Sequence, residues 1–212
     1  MRQGVLDWNI SPGPRLTATD RRSQILAAAM ELFSERGFHG ARTRELARRA
    51  GVSEALLFRH FPTKEALIRA ILENVTERYL RMEAKIRGAP PREALISLAD
   101  LVLSSLRENP AVFRVVFFGV MEKPQFAREF YRSFLSRMLT LEARLFRRAF
   151  AEGKGTSIPA SQVDPRVVAR SFHGSLLFYN VAGAIVRIEP LPKNPRALAE
   201  SIVNIYLPEG RS

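Results

Sequence analysis

Arginine, threonine, glutamate and histidine side chains recur in one short stretch, Thr43 to Phe61, at spacings that suit DNA recognition. Arg59 has the chemistry to read a base, because its planar fork of N–H donors matches the O6 and N7 acceptors of guanine. The same guanidinium could instead bind a phosphate, and both roles stay open at this point. The other polar residues expected on the same exposed side are Thr43, Arg44, Arg48, Glu54 and His60.

Two short helices and a tight turn must position these side chains. Gly51 follows the first helix, where a residue without a Cβ can adopt the left-handed conformation that turns the chain. Ser53 is a good N-cap for the second helix, and Ala47 is small where the helices must approach closely. One buried face is expected from Leu46, Ala50, Leu57 and Phe61. The pattern predicts a helix-turn-helix whose second helix fits a major groove.

Composition excludes several function classes. The chain has no cysteine, which excludes disulfides and thiolate catalysis. No apolar run approaches the roughly 20 residues that cross a bilayer, so we expect a cytoplasmic protein with no membrane contact. His39, His60 and His173 are the only histidines and lie far apart. Without metal-ligand spacing, a phosphate-binding glycine loop or an activated nucleophile, we expect no enzyme activity, no metal and no cofactor.

The formal charge of +12 favours a polyanionic partner but does not locate it. Residues 1–74 hold 12 Lys and Arg against 8 Asp and Glu, and the rest of the chain holds 21 against 13. The excess is therefore not concentrated around the helix-turn-helix. Either an arginine-favouring codon composition explains it, or the C-terminal part also binds an anion.

Apolar residues recur at helical spacing along the whole chain and predict an all-α fold. A first helix is expected from Thr19 or Asp20 to about Arg36, closed by Gly37. Thr63 is expected to cap a long fourth helix. Later helix boundaries are marked by Pro90–Pro91, Asn109–Pro110, Pro124, Asp164–Pro165 and Pro195.

Three motifs resemble the tetracycline-repressor (TetR) family of regulators. Between Asp20 and Leu72 the chain contains I-L-A-A-A-M-E-L-F-S-E-R-G-F, then T-R-E-L-A-R-R-A-G-V-S, then L-L-F-R-H-F-P-T-K-E-A-L-I. The resemblance implies an all-α protein of about nine helices, in which a helix-turn-helix head precedes a helical core. It also implies a ligand-responsive repressor that binds a palindromic DNA operator as a homodimer. An activator of the same family, or an architectural DNA-binding protein without a ligand, is the alternative.

Three segments are expected from this organisation. Residues 1–18 would form an arm, in which Arg2 and Arg15 either reach a minor groove or belong to a loosely packed extension. Residues 19–63 would form the three-helix DNA-binding domain. Residues 64–212 would form the helical ligand-binding and dimerisation domain.

The family motif implies DNA contacts at particular positions of this chain. Thr43 and Arg44 would lie near the phosphate backbone, and His60 and Lys64 match phosphate-binding positions. The full set predicted to bind DNA is Thr43, Arg44, Ser53, Glu54, Ala55, Leu56, Phe58, Arg59, His60 and Lys64.

Two of these positions have alternative roles. Glu54 could complement the positive end of the helix dipole, which we favour, or accept a hydrogen bond from a cytosine amino group. Many relatives have tyrosine where this chain has Phe58. The ring could pack on a sugar or a thymine methyl group, or it could belong to the core of the head.

The C-terminal part is predicted to dimerise and to bind a small effector. Small and apolar residues of the last two helices would form an isologous four-helix interface, or would only complete the monomer's core. These residues are Ala169, Gly174, Ser175, Ala182, Gly183, Ala184, Leu198, Ala199, Ile202, Val203, Ile205 and Tyr206.

An apolar cavity with a few polar groups is typical of a small-molecule site. The residues predicted to line it are Arg114, Phe117, Phe118, Met121, Phe130, Tyr131, Phe134, Met138, His173, Leu177 and Asn180. Each polar member could instead be a satisfied core or surface group. The expected effector is hydrophobic or amphiphilic, and the arginine content makes an acyl thioester one candidate.

Overall fold

The computed structural model describes residues 17–153, 163–186, 188 and 193–208. Most of the predicted arm, including Arg2 and Arg15, lies outside these residues. So do the loop over 154–162 and most of the proline-rich linker before the last helix.

Three helices form the N-terminal head: α1 (Ala18–Gly40), α2 (Thr43–Arg49) and α3 (Glu54–His60). The N-cap of α1 is Thr17, which corrects the prediction of Thr19 or Asp20. The Thr17 hydroxyl accepts a hydrogen bond from the Asp20 amide at 3.1 Å, and the Asp20 carboxylate accepts one from the Thr17 amide at 3.1 Å. This reciprocal capping box satisfies two amides, whereas a start at Asp20 would leave both without these partners.

The remaining helices are α4 (Lys64–Lys85), α5 (Pro91–Glu108), α6 (Pro110–Glu122), α7 (Pro124–Phe130), α8 (Ser136–Ala151), α9 (Pro165–Asn180) and α10 (Pro195–Tyr206). A π-helical turn over Tyr131–Leu135 joins α7 to α8, and another over Val181–Val186 extends α9. Because α7 and α8 form one uninterrupted rod, the described residues make nine helical rods. They contain no strand, and the predicted all-α class is confirmed.

Proline marks the first position of five helices, where its missing N–H has no intrahelical role. These prolines are Pro91, Pro110, Pro124, Pro165 and Pro195. Each lies at a boundary that the sequence predicted, to within one residue. No helix in the described ranges is long and apolar enough to span a bilayer.

Buried side chains form two clusters. One lies in the head, centred on Leu32 and Phe33, and includes Val115 from α6. The other lies in the core domain, where Phe146 and Phe172 are fully buried with a ring separation of 5.5 Å. Helix α6 therefore packs into the head cluster although it follows the head by many residues, and it connects the two parts of the molecule.

Candidate functional site: a DNA-reading head and a buried polar site

The turn between α2 and α3 has the geometry that the sequence predicted. Gly51 adopts a φ of 60°, and the Val52 amide donates to the Ala47 carbonyl at 2.9 Å. The Ser53 hydroxyl accepts a hydrogen bond from the Leu56 amide at 3.1 Å, so α3 is capped as expected. Leu57 is buried beneath the turn. These contacts fix the direction of α3 and present its outer face.

That outer face carries most of the predicted DNA contacts. Arg44, Ser53, Glu54, Ala55, Phe58 and Arg59 are exposed, and Thr43, Leu56, His60 and Lys64 are partly buried. Within the part of the chain that the structure describes, no side-chain hydrogen bond or ion pair engages Arg44, Arg48 or Arg59. Their guanidinium groups are therefore available to a phosphate or a base edge.

Two alternatives at this surface can now be compared with the structure. Phe58 is 41 % exposed, which excludes the interpretation that it belongs to the core of the head. Glu54 lies in the first turn of α3 and accepts a hydrogen bond from the Thr43 hydroxyl at 3.2 Å. This bond joins the starts of α2 and α3, and it occupies part of the carboxylate that a cytosine amino group would need.

Lys64 differs from the other predicted phosphate ligands, because its ammonium group already has two protein acceptors. It donates to the carbonyls of Phe38 at 2.6 Å and Ala41 at 2.9 Å, and it lies 4.4 Å from the Phe38 ring centroid. Burial lowers the pKa of this amine. The position holds the end of α1 against the start of α4, which the sequence did not indicate. A phosphate contact would have only the third N–H to use.

Glu122, at the end of α6, forms a second connection between head and core. Its carboxylate accepts hydrogen bonds from the amides of Phe38 at 3.0 Å and His39 at 3.1 Å. Gly37 precedes them with a φ of 68°, which turns these amides away from the normal helical path. We call the contact between Glu122 and the 37–39 turn the head–core clamp. It was absent from the predicted sites, because its partners lie far apart in the sequence.

Part of the predicted effector site does come together. Phe130, Phe134 and Met138 follow one stripe along α7, the π-helical turn and α8, and they pack in or against the core cluster. The Phe134 ring lies 5.4 Å from that of Tyr79 on α4 and 5.3 Å from that of Phe130.

Three other predicted lining residues are exposed, and three more are only partly buried. Met121 is 68 % exposed, and Tyr131 and Leu177 are also exposed, which corrects their assignment to an enclosed cavity. Arg114, Phe117 and Phe118 belong to α6 and are only partly buried, because α6 packs mainly against α1 rather than across the core. Asn180 is buried near the end of α9.

A fully buried carboxylate, Glu142, lies in the core beside His173. Its Oε1 is 3.3 Å from His173 Nδ1, whereas Oε2 has no hydrogen-bond partner among the described residues. Burial raises the pKa of Glu142. The Tyr79 hydroxyl is also buried without a partner in the described chain, and burial together with the nearby Glu142 charge raises its pKa. We call Tyr79, Glu142 and His173 the buried polar site.

The sequence did contain a signal for Glu142. On α8 it lies one helical turn after Met138, and Phe146 follows one turn later. A carboxylate in register with a buried apolar stripe is uncommon, because an unpaired buried charge is strongly disfavoured. Helical periodicity could have marked this residue, although its partners on α4 and α9 could not be read from the sequence.

Comparisons with known proteins agree with this geometry. The family model described as "Bacterial regulatory proteins, tetR family" matches residues 25–71, which include α2, α3 and the start of α4. The N-terminal domain of this chain, over residues 25–71, is therefore a TetR-family DNA-binding domain.

Curated relatives match over about half of the chain. An "HTH-type transcriptional activator FasR" from Mycolicibacterium smegmatis is 32% identical over 107 residues, 50% of this chain and 49% of that protein. The "HTH-type transcriptional regulator RutR" of Escherichia coli K12 is 35% identical over 117 residues, 54% of each chain. The chain thus spans about half the length of these curated relatives.

Solved structures extend the similarity of fold to the core domain. A TetR-like transcriptional regulator from Rhodococcus sp. RHA1 has a TM-score of 0.71 at 24% identity, covering 89% of this chain and 96% of that one. A structure of AibR in complex with isovaleryl coenzyme A and operator DNA has a TM-score of 0.70 at 21% identity. It covers 90% of this chain and all of the other. At these identities the likeness concerns the fold.

The helices predicted to dimerise present two kinds of residue. One group completes the monomer's core and is buried, as the alternative interpretation held: Ala169, Ala182, Ala199, Ile202 and Val203. Another group stays exposed on α9 and α10, including Val167, Phe178 and Ile205. A Cβ at Gly174 would meet no other atom within 4 Å. An apolar face thus remains uncovered in the single chain.

Proposed function

We propose that this TetR-family chain is a ligand-responsive transcriptional regulator, most simply a repressor that dimerises on a palindromic operator. The observation that carries the proposal is the outer face of α2 and α3. Arg44, Arg48 and Arg59 project, without side-chain partners in the described chain, from a helix-turn-helix whose inner side is buried and whose second helix is capped. A monomer gains little from unpaired surface guanidiniums, whereas DNA phosphates and guanine edges bind them well.

Dimerisation is supported by the exposed apolar residues of α9 and α10. Val167, Phe178 and Ile205 are each more than half exposed. Covering them with the same face of a second copy would form an isologous interface. Two heads held about 34–36 Å apart would then reach successive major grooves on one side of the duplex.

The proposed effector site is the buried polar site with Phe134 and Met138 beside it. A buried polar atom without a partner costs roughly 1–3 kcal/mol, so a ligand that satisfied Glu142 Oε2 or the Tyr79 hydroxyl would gain that contribution. Since burial favours a protonated Glu142, the carboxyl group could donate to a ligand carbonyl. The AibR complex with isovaleryl coenzyme A supports an acyl thioester as one candidate class.

Helix α4 offers a direct route from this site to the head. Tyr79 lies on α4 in the core, and Lys64, at the start of the same helix, holds the end of α1. A ligand that displaced Tyr79 would move α4 as a rigid body. This motion would disturb the end of α1 and with it the head–core clamp. The effector must bind the state with displaced heads more tightly than the operator-bound state, because equal binding shifts nothing.

The test of effector control begins with the full-length protein on a labelled duplex selected from random DNA. Acyl thioesters of increasing chain length are titrated, and DNA release is followed by fluorescence anisotropy. We expect release by one chain-length range, and Tyr79→Phe and Glu142→Gln should shift the ligand midpoint while preserving DNA affinity. If no thioester or other apolar ligand changes DNA affinity, effector control is wrong and the ligand-free alternative is favoured.

The DNA-reading role is tested separately with Arg59→Ala. If Arg59 binds a guanine edge, the variant should lose roughly 1–3 kcal/mol on the selected duplex and much less on random DNA. Equal losses on the two duplexes would instead assign Arg59 to the phosphate backbone. Competition binding at one salt concentration provides the comparison.

The direction of regulation is the remaining part of the proposal. A repressor and an activator can have identical heads, and FasR is named as an activator. Transcription from the selected site with and without the protein distinguishes them. Reduced transcript in its presence supports the repressor.

A further inference from the structure

A cleft of about 240 Å³ lies between α8 and α9. Arg144 and Arg147 of α8 and Arg166 and Arg170 of α9 line it. No acidic side chain occurs among its lining residues in the described chain. The cleft therefore concentrates four guanidinium groups at a concave surface.

These arginines have fewer acidic partners than several arginines elsewhere in the molecule. Arg49, Arg78 and Arg196, for example, each lie within 3 Å of a glutamate oxygen. Among the described residues of the cleft, only Arg166 has an acidic partner, Asp164 at 3.0 Å, and Arg170 reaches the Arg166 carbonyl at 3.4 Å.

The spacing of these arginines also indicates that they do not stabilise the free protein. Arg144 and Arg147 are three residues apart and Arg166 and Arg170 four apart, so like charges face each other along each helix. Such pairs destabilise a helix. Neither Arg144 nor Arg147 has a side-chain hydrogen bond or ion pair within the described ranges. An anion bound between the helices would remove the repulsion.

An aromatic ring and a hydroxyl group complete the lining. Tyr131, which was predicted to line the interior, is 46 % exposed and contributes to this cleft from the π-helical turn. Thr140 supplies the hydroxyl, although it already donates to the Ser136 carbonyl at 2.7 Å. An exposed aromatic ring beside arginines can stack on a planar base or another flat group.

We propose that this cleft binds a small phosphorylated molecule of nucleotide size, with its phosphate groups held by the four arginines. Arginine suits this role because its fork makes paired, charge-assisted hydrogen bonds to phosphate oxygens. The concave shape fits a compact anion, whereas duplex DNA presents a convex, extended row of phosphates. The site is separate from the effector site, since Thr140, Arg144 and Arg147 line the cleft while Met138, Glu142 and Phe146 of the same helix are buried in the core.

The proposed dimer surface does not require these arginines. Val167 and Phe178 lie roughly 60–120° around α9 from Arg166 and Arg170, given 100° per residue. The cleft would thus lie beside the proposed dimer face. Binding of an anion in the cleft does not depend on whether the head reads DNA. The expected stoichiometry is one small anion per chain.

Calorimetric titration of the full-length protein with sodium triphosphate and with ATP tests the proposal. The double variant R144Q/R170Q should weaken both ligands about tenfold or more, as expected when charge-assisted hydrogen bonds are removed. The matched control is R87Q/R128Q, which removes two exposed arginines elsewhere and the same net charge. It should change either affinity by no more than about twofold. Thermal melting of each variant verifies folding, and R144K/R170K should give an intermediate affinity because it keeps the charge but not the fork.

Tyr131→Ala distinguishes a nucleotide ligand from a polyphosphate ligand that has no base. Weaker ATP binding with unchanged triphosphate binding supports a nucleotide ligand, and no effect on either supports a ligand recognised through phosphates. The proposal is overturned if neither compound binds saturably, or if the control variant loses as much affinity as R144Q/R170Q. It is also overturned if R144Q/R170Q chiefly weakens binding to random DNA, since the cleft would then belong to the DNA surface.

Discussion

The outer face of α2 and α3 in the head, which we call the reading face, and the buried polar site of the core both contain polar groups without described protein partners, but in opposite environments. Arg44 and Arg59 point to solvent, where water satisfies them at little cost. Glu142 Oε2 and the Tyr79 hydroxyl are enclosed, where a missing hydrogen bond costs roughly 1–3 kcal/mol each. The guanidinium groups of the head are therefore accessible to DNA. The enclosed polar atoms of the core lower the stability of the ligand-free protein, and a ligand that bonded to them would remove that cost.

Two polar contacts at the end of α1 add to the apolar packing by which α6 connects these regions. Lys64 donates to the carbonyls of Phe38 and Ala41, and Glu122 accepts from the amides of Phe38 and His39. Because both contacts use the backbone of one short segment, motion of α4 or α6 must act on the head. These contacts would transmit the proposed binding of an effector in the core to the head.

The largest expected effect is a loss of stability on removal of an aromatic ring from the core, which removal of an aromatic ring from the reading face should not cause. Phe146→Ala should destabilise the protein by about 3–5 kcal/mol, because Phe146 is fully buried between other rings. Phe58→Ala, at an exposed ring, should change stability by no more than about 0.5 kcal/mol while weakening DNA binding. Urea unfolding and DNA titration of both variants check this. A loss of several kcal/mol in Phe58→Ala would contradict its assignment to the reading face.

A smaller effect is expected at Lys64, which lies between the two regions. Lys64→Ala should lower the free energy of unfolding by about 1–3 kcal/mol, because it removes two hydrogen bonds from a charged donor. A direct phosphate contact would instead flatten the salt dependence of DNA binding by about one unit. Unfolding and salt titrations of the same variant decide between these roles. An unchanged stability with a flatter salt dependence would restore the phosphate role predicted from the sequence.

A loss of about 1 kcal/mol is expected for Ser53→Ala, because the hydroxyl caps α3 through the Leu56 amide. Ser171→Ala is a suitable control, since Ser171 is exposed on α9 and its hydroxyl has no described hydrogen bond. Denaturant unfolding measures both. Equal changes in the two variants would show that the cap contributes nothing particular to the head.

The smallest expected signal is the pH dependence of stability set by Glu142. Burial raises the folded-state pKa above the ordinary value of 4.5, so the folded protein retains the proton longer than the unfolded chain. The contribution to stability is present below pH 4.5 and is lost as pH rises through the raised pKa. Glu142→Gln should therefore flatten this decline, whereas Glu77→Gln, at an exposed site, should not. Unfolding free energies from pH 4 to 8 test the sign, and a steeper decline in Glu142→Gln would contradict it.

Local chemistry explains which features could be predicted from the sequence. Gly51, Ser53 and the helix-initiating prolines act within a few residues of themselves, so their spacing contains the information. The buried stripe under α3 and the exposed side of Arg59 follow from helical periodicity. The α1 cap was misplaced by two or three residues because Thr17, Thr19 and Asp20 offer similar capping groups within one turn.

The remaining features depend on contacts between distant segments. Glu122 and Phe38 are separated by 84 residues, and Glu142 and His173 by 31. Nothing in either neighbourhood specifies the partner. Tyr131 was predicted to face inward, but it starts the π-helical turn and lines the arginine cleft instead. Such placements require knowledge of how the rods pack, which periodicity cannot supply.

The most direct test of dimeric, sequence-specific DNA binding is selection of DNA from a random-sequence library by the full-length protein, followed by footprinting of the enriched duplex. We expect a two-fold symmetric motif whose half-sites are centred about 10 base pairs apart, or a multiple of that distance. We also expect Arg59→Ala to protect this motif less well than the unmodified protein. Enrichment of no motif, or of one asymmetric site bound equally by Arg59→Ala, would contradict a dimeric sequence-reading regulator.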